Sequence, residues 1–574
     1  MRYRKAVVLF LVLALAVTWF ATPAGAVKEE KAKKINVNKI LKDMTLEEKV
    51  GQMMMVGFYG SEPTEEIRRL LTDAHAGNVI LFSYSDNVQT PQQTARLTNG
   101  LQEIAMDTRL KLPLLISTDQ EGGVVARMTM GATELPGNMA LGAGRDPAGS
   151  REAAKLTAEE LRAVGINMNL APVLDVNVNP DNPVIGVRSY GEDPGLVADL
   201  GAEAIRGYQN NGVIATAKHF PGHGDTDVDS HLGLPVIDKS RGELEKVELV
   251  PFQRAVDEGI DAIMTAHIHV PALDDTPDLP ATLSKPILTG LLRKEMGYEG
   301  LIITDAMTMA GVADYFGGVP QAALKAVDAG ADLILLTPAM TADEQIEVAD
   351  TITEAVRSGE ISEQRINQSV RRILRVKAKY GLFRERQVDV DRVPERVGTP
   401  EHLEKARELA NRSITLVKND HHLLPLKMDE EKKLGIISQF SLRDRVEKYH
   451  ANTEEMHVRP VNPSDAVIEE AVEMAKGQDI LLVGTYSASL YPQQSKLVRA
   501  LEELDKPMVV VAFRNPYDIK DFPGAEAYVT AYGFRSVSLE AAVDTLFGTH
   551  PPAGKLPVTI PGLYDYGHGL TYGE

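Results

Sequence analysis

The sequence predicts an α/β chain: a (β/α)8 TIM-type barrel followed by a smaller α/β sandwich domain. Short apolar runs alternate with stretches of helical composition, eight such runs occur before a polar, proline-containing break, and beyond the break the alternation resumes with fewer runs. Alternation of this kind implies parallel strands joined by right-handed helical crossovers. Eight strand–helix units in roughly 300 residues is the count that closes a barrel, an open doubly wound sheet being the alternative.

The chain begins with something else. Arg2, Arg4 and Lys5 precede an apolar run from Ala6 to Phe20, and Ala24-Gly25-Ala26 follows. This is the pattern of a signal peptide over residues 1–26, with a run too short for a comfortable membrane span. The expectation is an exported protein, secreted or associated with the cell wall, that starts near Val27 and has no stable membrane anchor. Losing the leader takes the net charge from −20 to −23, a balance that argues against nucleic acid as a partner. With no cysteine, neither disulfides nor thiolate metal sites are possible, and no lipid can be attached through an N-terminal cysteine. Trp19, the single tryptophan, lies in the leader, so aromatic stacking must use Tyr or Phe, which suits a small hydrogen-bonded ligand.

After a Lys-rich arm, Thr45 and Glu48 make a capping box for a helix leading into the first run. The eight runs are Met53–Phe58, Asn78–Ser83, Leu112–Thr118, Ile166–Val176, Val213–Ala217, Ala262–His267, Leu301–Thr304 and Asp332–Thr337, with helical stretches such as Arg151–Val164 and Leu196–Asn210 between them. A basic helical tract from Ser362 to Tyr380 completes a barrel assigned to residues 27–383. Residues 384–400 are polar and lack apolar periodicity, and read as a linker. Residues 401–574 form the sandwich domain, with strands expected at Leu434–Ile437, Ile480–Thr485, Met508–Phe513, Ala527–Tyr532 and Lys555–Ile560. No phosphate-binding glycine loop is present.

In a barrel the polar residues just past each strand gather at one mouth. The third run delivers Asp119, Glu121 and Arg127; the fourth, Asp175 and Arg188; the sixth, His267 and His269; and the seventh, Asp305. The fifth delivers the densest stretch of the chain, Lys218 to His231, KHFPGHGDTDVDSH. A carboxylate at the end of a buried strand, such as Asp305, is a candidate nucleophile or base. Asp225, Asp227 and Asp229 match the start of a calcium loop, but Ser230 and Val236 stand where that loop needs Gly and Glu. A zinc site on His219, His223 and His231 is chemically possible, yet no further His/Glu pair at helical spacing supports it.

The loop KHFPGHGDTDVDSH, the strand ends STDQEGG and IITDAM, and the segment Asn182–Pro194, NPVIGVRSYGEDP, resemble family 3 glycoside hydrolases, and within them the β-N-acetylglucosaminidase branch that trims peptidoglycan fragments, in its two-domain form. The resemblance implies that Asp305 is the catalytic nucleophile and that Asp229 and His231 form the acid/base dyad. It further implies that Asp119, Arg127, Arg188, Lys218 and His219 grip the sugar hydroxyls and acetamido group, with no metal and no organic cofactor. One departure is visible: the family's GGRV is Gly122-Gly123-Val124-Val125 here, so an arginine behind Asp119 is missing.

The chemistry fits independently. A retaining glycosidase needs one group to attack the anomeric carbon and another to protonate the leaving oxygen and then deprotonate water. An imidazole with an unperturbed pKa of about 6.5 can do the second job, and in an extended loop a carboxylate two residues away can reach it and fix its tautomer. The expectation is an exo-acting retaining β-N-acetylglucosaminidase acting on GlcNAc-containing saccharides or muropeptides. Its rivals are a β-glucosidase of the same family, which would need an acid carboxylate from the second domain, and a noncatalytic exported sugar-binding protein.

Overall fold

Eight parallel strands wind into one sheet: β1 (Met54–Val56), β2 (Asn78–Leu81), β3 (Leu115–Thr118), β4 (Met168–Asn169), β5 (Ile214–Phe220), β6 (Ala262–Thr265), β7 (Leu301–Ile303) and β8 (Ile334–Leu335). They pair in the order β8-β1-β2-β3-β4-β5-β6-β7, and a parallel bridge between Ile303 and Leu333 brings β7 back to β8 to close the barrel. The computed structural model describes residues 35–313 and 317–573, so the apolar leader lies outside the described residues.

Each predicted run contains a strand, most of them shorter than the run, and two departures bear on the mouth. Ile166–Val176 gives only Met168–Asn169, because Pro172 has no N–H for a ladder and the chain beyond runs irregularly beside β5, joined to it by a Val173–Lys218 bridge. Conversely, β5 continues three residues past the predicted run, so Lys218 and His219 sit in the strand itself and not on a loop.

Local rules account for the helices. Leu46–Gln52 starts with the expected capping box, Thr45 and Glu48 each bonding the other's backbone N–H. Pro147–Ala163 and Pro194–Asn210 each begin with an Asp N-cap followed by Pro. The basic tract forms Glu363–Lys379, capped by Ser362.

The second domain holds a six-stranded sheet: β9 (Thr415–Asn419), β10 (Leu434–Ser438), β11 (Thr453–His457), β12 (Ile480–Thr485), β13 (Met508–Ala512) and β14 (Ala527–Thr530). The order is β9-β14-β13-β12-β10-β11, parallel except for β9 against β14. One expected strand is absent: Lys555–Ile560 is irregular, although Leu556, Val558 and Ile560 are buried in the core. Its backbone bonds are divided between the barrel, where Pro557 O accepts from Glu192 N (3.0 Å) and Thr559 N donates to Glu192 Oε2 (2.7 Å), and its own domain, where Leu556 N donates to His568 O (2.7 Å) and Ile560 N to Tyr564 O (2.8 Å). Residues 384–400 lie along the barrel, Val393 and Val397 joining its core and Asn99 bonding both the N–H and the carbonyl of Val388 (2.8 Å each). Among the described residues no helix is long and apolar enough to cross a membrane.

Candidate active site

The C-terminal ends of β3, β4, β5, β6 and β7 converge on one mouth, as barrel geometry requires. Asp119 follows β3 directly. The next residue, Gln120, is fixed twice: its backbone exchanges bonds with the Asn169 side chain at the end of β4 (2.9 Å each way), and its side-chain oxygen accepts from Arg127 N (2.8 Å) and Met128 N (3.0 Å). This ties the two arms of a short hairpin, Gln120–Gly122 with Val125–Ala126, and so places Asp119, Glu121 and Arg127 together.

A buried ladder of charges results. Lys218 Nζ lies 2.9 Å from Asp119 Oδ1 and 2.7 Å from Glu121 Oε1. Arg127 Nη2 reaches Asp119 Oδ2 at 3.3 Å. Arg188, on the short helix Gly186–Arg188, grips Glu121 with two parallel bonds of 2.9 and 2.8 Å, the bidentate geometry that makes Arg–carboxylate pairs strong. Burial disfavours the charged form of Asp119, but Lys218 and Arg127 outweigh it and hold its carboxyl below the ordinary range. Glu121 is held far lower still, burial being overcome by Arg188 and Lys218. Both carboxylates are therefore ionised at neutral pH, and they raise Lys218, which bridges them, and Arg188, so that both cations stay charged.

His219 extends the ladder. Arg188 Nη2 is 3.3 Å from His219 Nε2, and His219 Nδ1 is 2.7 Å from Asp175 Oδ2. In the neutral form of His219 the guanidinium, which only donates, makes Nε2 the acceptor and leaves the proton on Nδ1 toward Asp175. Asp175, fully buried, also accepts from His219 N (3.1 Å) and His223 N (2.7 Å). His223 is turned away, between Thr226 Oγ1 and Ser230 Oγ (2.9 Å each), and burial pushes its imidazole down to about 4, leaving it neutral in working conditions.

Asp305 sits at the floor of the mouth just past β7, its Oδ1 accepting from Ala306 N at 2.7 Å. The peptide after it is braced by His267, whose Nε2 meets Ala306 O at 3.0 Å and whose Nδ1 meets Thr282 Oγ1 at 2.8 Å. Burial works against the Asp305 carboxylate, but the facing His219 and His267, the Ala306 N–H and Lys218 prevail and lower its pKa. Asp305 is thus an ionised carboxylate in a largely desolvated site, with cationic Lys218 nearby.

The Asp229–His231 pair stands apart from this network, with His231 Nδ1 2.7 Å from Asp229 Oδ1 and its side chain 58% exposed. The pairing does not use the expected extended backbone. Residues 229–233 form a turn in which Asp229 Oδ1 also accepts from His231 N (2.9 Å) and Asp229 O accepts from Leu232 N (2.9 Å), so the carboxylate caps the turn that carries its partner. Burial is again outweighed, by that N–H and by the His231 side chain, and Asp229 is lowered. The turn leans on the loop after β7, with Gly311 N donating to Ser230 O at 3.3 Å, which sets the dyad beside the segment that bears Asp305.

The structure therefore joins Asp119, Arg127, Lys218, Arg188 and His219 in one bonded chain, places Asp305 below them, and puts Asp229 and His231 on the rim. Sequence reasoning put Glu121, Asp175 and His267 at the mouth without giving them work; the signal was available for Glu121, an acid alternating with Asp119 just before the Gly122-Gly123 pair. The three histidines of the dense loop face different partners, and Asp225 pairs with Lys239 at 2.7 Å, so neither metal grouping considered from the sequence is assembled. Val124, at the missing arginine, packs against a hydrophobic cluster to which both domains contribute.

This two-domain arrangement has relatives. Residues 45–376 match the glycosyl hydrolase family 3 N terminal domain, and residues 414–572 match the glycosyl hydrolase family 3 C-terminal domain. The chain is 32% identical over 551 residues to beta-hexosaminidase A of Pseudoalteromonas piscicida, spanning 86% of this chain and 91% of the relative. It is 30% identical over 556 residues to a beta-N-acetylglucosaminidase/beta-glucosidase of Cellulomonas fimi, spanning 91% and 95%. The structure of a glycoside hydrolase family 3 beta-N-acetylglucosaminidase from Paenibacillus sp. str. FPU-7 superposes with a TM-score of 0.84 at 38% identity, covering 90% of this chain and 99% of that one. With both family domains matched in order around a charged barrel mouth, the chain belongs to glycosyl hydrolase family 3.

Proposed function

We propose that this glycoside hydrolase of β-N-acetylhexosaminidase type is an exo-acting, retaining β-N-acetylglucosaminidase that removes terminal GlcNAc from muropeptides or similar saccharides. Asp305 attacks the anomeric carbon and forms a glycosyl-aspartate as the leaving oxygen departs. His231 gives that oxygen a proton from Nε2, then takes one from the water that cleaves the ester, so the proton is returned each cycle. Asp229, on Nδ1, fixes which nitrogen acts. Asp119, Arg127, Lys218, Arg188 and His219 bind the hydroxyls and acetamido group.

The observation that carries this reading is the 2.7 Å Asp229–His231 pair on a turn bonded to the Asp305 loop. The name of the Paenibacillus protein supports the GlcNAc specificity, and that of the Pseudoalteromonas protein supports hexosaminidase activity. A β-glucosidase reading draws on the double name of the Cellulomonas relative. It requires a carboxylic acid from the second domain, whereas the second-domain side chains that meet the loops after β3 and β4 include Arg535, Asn515 and Tyr517, none of them acids.

Release of p-nitrophenol from the N-acetylglucosaminide and the glucoside, assayed in parallel, tests the reading. Turnover of the glucoside alone refutes the specificity, and turnover of neither favours a binding protein. Export follows from the leader pattern in residues 1–26, and N-terminal sequencing of protein recovered outside the membrane, expected to begin near Val27, tests it.

A further inference from the structure

The hairpin that carries Asp119, Glu121 and Arg127 is held from outside the barrel. Its turn is Gly123-Val124. Gly123 has φ +59°, and a Cβ there would come within 2.9 Å of Gly137 Cα, so backbone lies directly on backbone at this residue. Two hydrogen bonds locate it. Gly123 N donates to Leu135 O at 3.0 Å, and Gly123 O accepts from Arg535 Nε at 2.5 Å.

Arg535 lies in the second domain, just past β14. Its guanidinium lies 5.2 Å from the centre of the Phe534 ring, and its Nη1 reaches Glu134 Oε1 at 3.2 Å, while Ser536 N donates to Glu134 Oε2 at 3.2 Å. The side chain is 14% exposed, so these bonds are made largely out of water, where a charged donor on a carbonyl is worth most. The hairpin transmits what happens at its turn, because Gln120 Oε1 bonds the backbone N–H groups of both Arg127 and Met128 across the two arms. Val124 packs against a hydrophobic cluster that both domains share, and the charge at this corner comes from Arg535 of the second domain.

We propose that Arg535 is a positioning residue for the sugar-binding mouth: by fixing the Gly123 carbonyl it sets the orientation of Asp119 and Arg127, and the second domain thereby takes part in substrate binding without touching the reacting atoms. This rests on the reading above that Asp119 and Arg127 hold the sugar.

The test is steady-state kinetics of the full chain on the chromogenic glycoside that the wild type cleaves, with melting temperatures in parallel. Arg535→Gln raises KM about tenfold and changes kcat less than about twofold, the loss of one charge-assisted bond acting on binding. Arg535→Lys, which keeps a donor, raises KM about threefold and carries the test if Arg535→Gln does not fold. Glu134→Gln weakens the interdomain ion pair but leaves the Gly123 bond, and KM stays at the wild-type value. In an Asp119→Asn background, Arg535→Gln has no further effect on KM, because the two act through one contact. The proposal is overturned if Glu134→Gln reproduces the KM rise, if the Arg535 and Asp119 effects add, or if a folded Arg535→Gln keeps its KM. Wild-type cleavage of the glucoside alone would refute the GlcNAc reading and leave this test intact.

Discussion

Glu121→Gln isolates what the buried charge ladder is worth. The Glu121 carboxylate accepts two bonds from Arg188 and lies 2.7 Å from Lys218 Nζ, with its side chain 2% exposed. In the wild type, Lys218, Arg188 and Arg127 face two carboxylates, Asp119 and Glu121; in the variant they face one, and an amide NH2 is turned toward groups that themselves only donate. Removing one partner of a buried ion pair costs about 3–5 kcal/mol, because the other charge is left desolvated. The expected loss in unfolding free energy at pH 7 is therefore about 3–5 kcal/mol by urea denaturation. The pH dependence has a definite sign. The folded-state pKa of Glu121 lies well below its ordinary value of 4.5, so its contribution is complete above that value and drains away as pH falls below it toward the folded pKa. The gap between wild type and variant should be constant from pH 6 to 8 and shrink steadily below about pH 4.5. A gap under about 1 kcal/mol at pH 7, or one that does not narrow in acid, would refute the account of Glu121 as the central anion of the mouth.

Other outcomes follow from the site and the core. Asp305→Asn should lose at least about 10³-fold in kcat with an unchanged melting temperature, and a 2-fluoro glycoside should label Asp305 in the wild type; labelling at Asp175 or Glu121 instead contradicts the assignment. His231→Gly should slow glycosides with poor leaving groups by about 10²–10⁴-fold while sparing a dinitrophenyl glycoside, and equal losses on both would make His231 structural. Lys377 is fully buried, its Nζ bonding Gln52 Oε1 at 2.7 Å and Gly77 O at 2.9 Å, and burial lowers it to about 7. The unfolded chain then holds this proton more tightly between pH 7 and 10.5, so wild-type stability should gain about 1.4 kcal/mol per pH unit over that window relative to Lys377→Met. Parallel pH curves for the two proteins would contradict it.

The barrel was legible because its strands are buried on both sides and so read as continuous apolar runs. In the second sheet, Thr453–His457 escaped notice because β11 is a half-exposed edge strand with Glu454, Glu455 and His457 in five positions, and Thr415–Asn419 because its pairing is antiparallel and bulged at an edge. Lys555–Ile560 misled for the opposite reason: an apolar run can be buried in a core shared by two domains without joining the sheet. At the mouth, residue types and strand ends placed the chemistry, but hydrogen bonds between residues far apart in sequence, such as Asp175 with His219 or Arg188 with Glu121, depend on how the barrel closes and leave no local mark.

Because β5 runs on to Phe220, Lys218 and His219 are set in the barrel wall, whereas Asp229 and His231 ride on a surface turn that contributes no strand. On the proposed roles, recognition and proton transfer are separable parts. Replacing Asp229 and His231 alone leaves Ser230 on His223 Nε2 and the charge ladder in place, giving a receptor for the sugar that no longer cuts it. Such a double variant would then be a ready-made affinity reagent for GlcNAc ends, and the same division would let proton-transfer chemistry drift in evolution while specificity stays put.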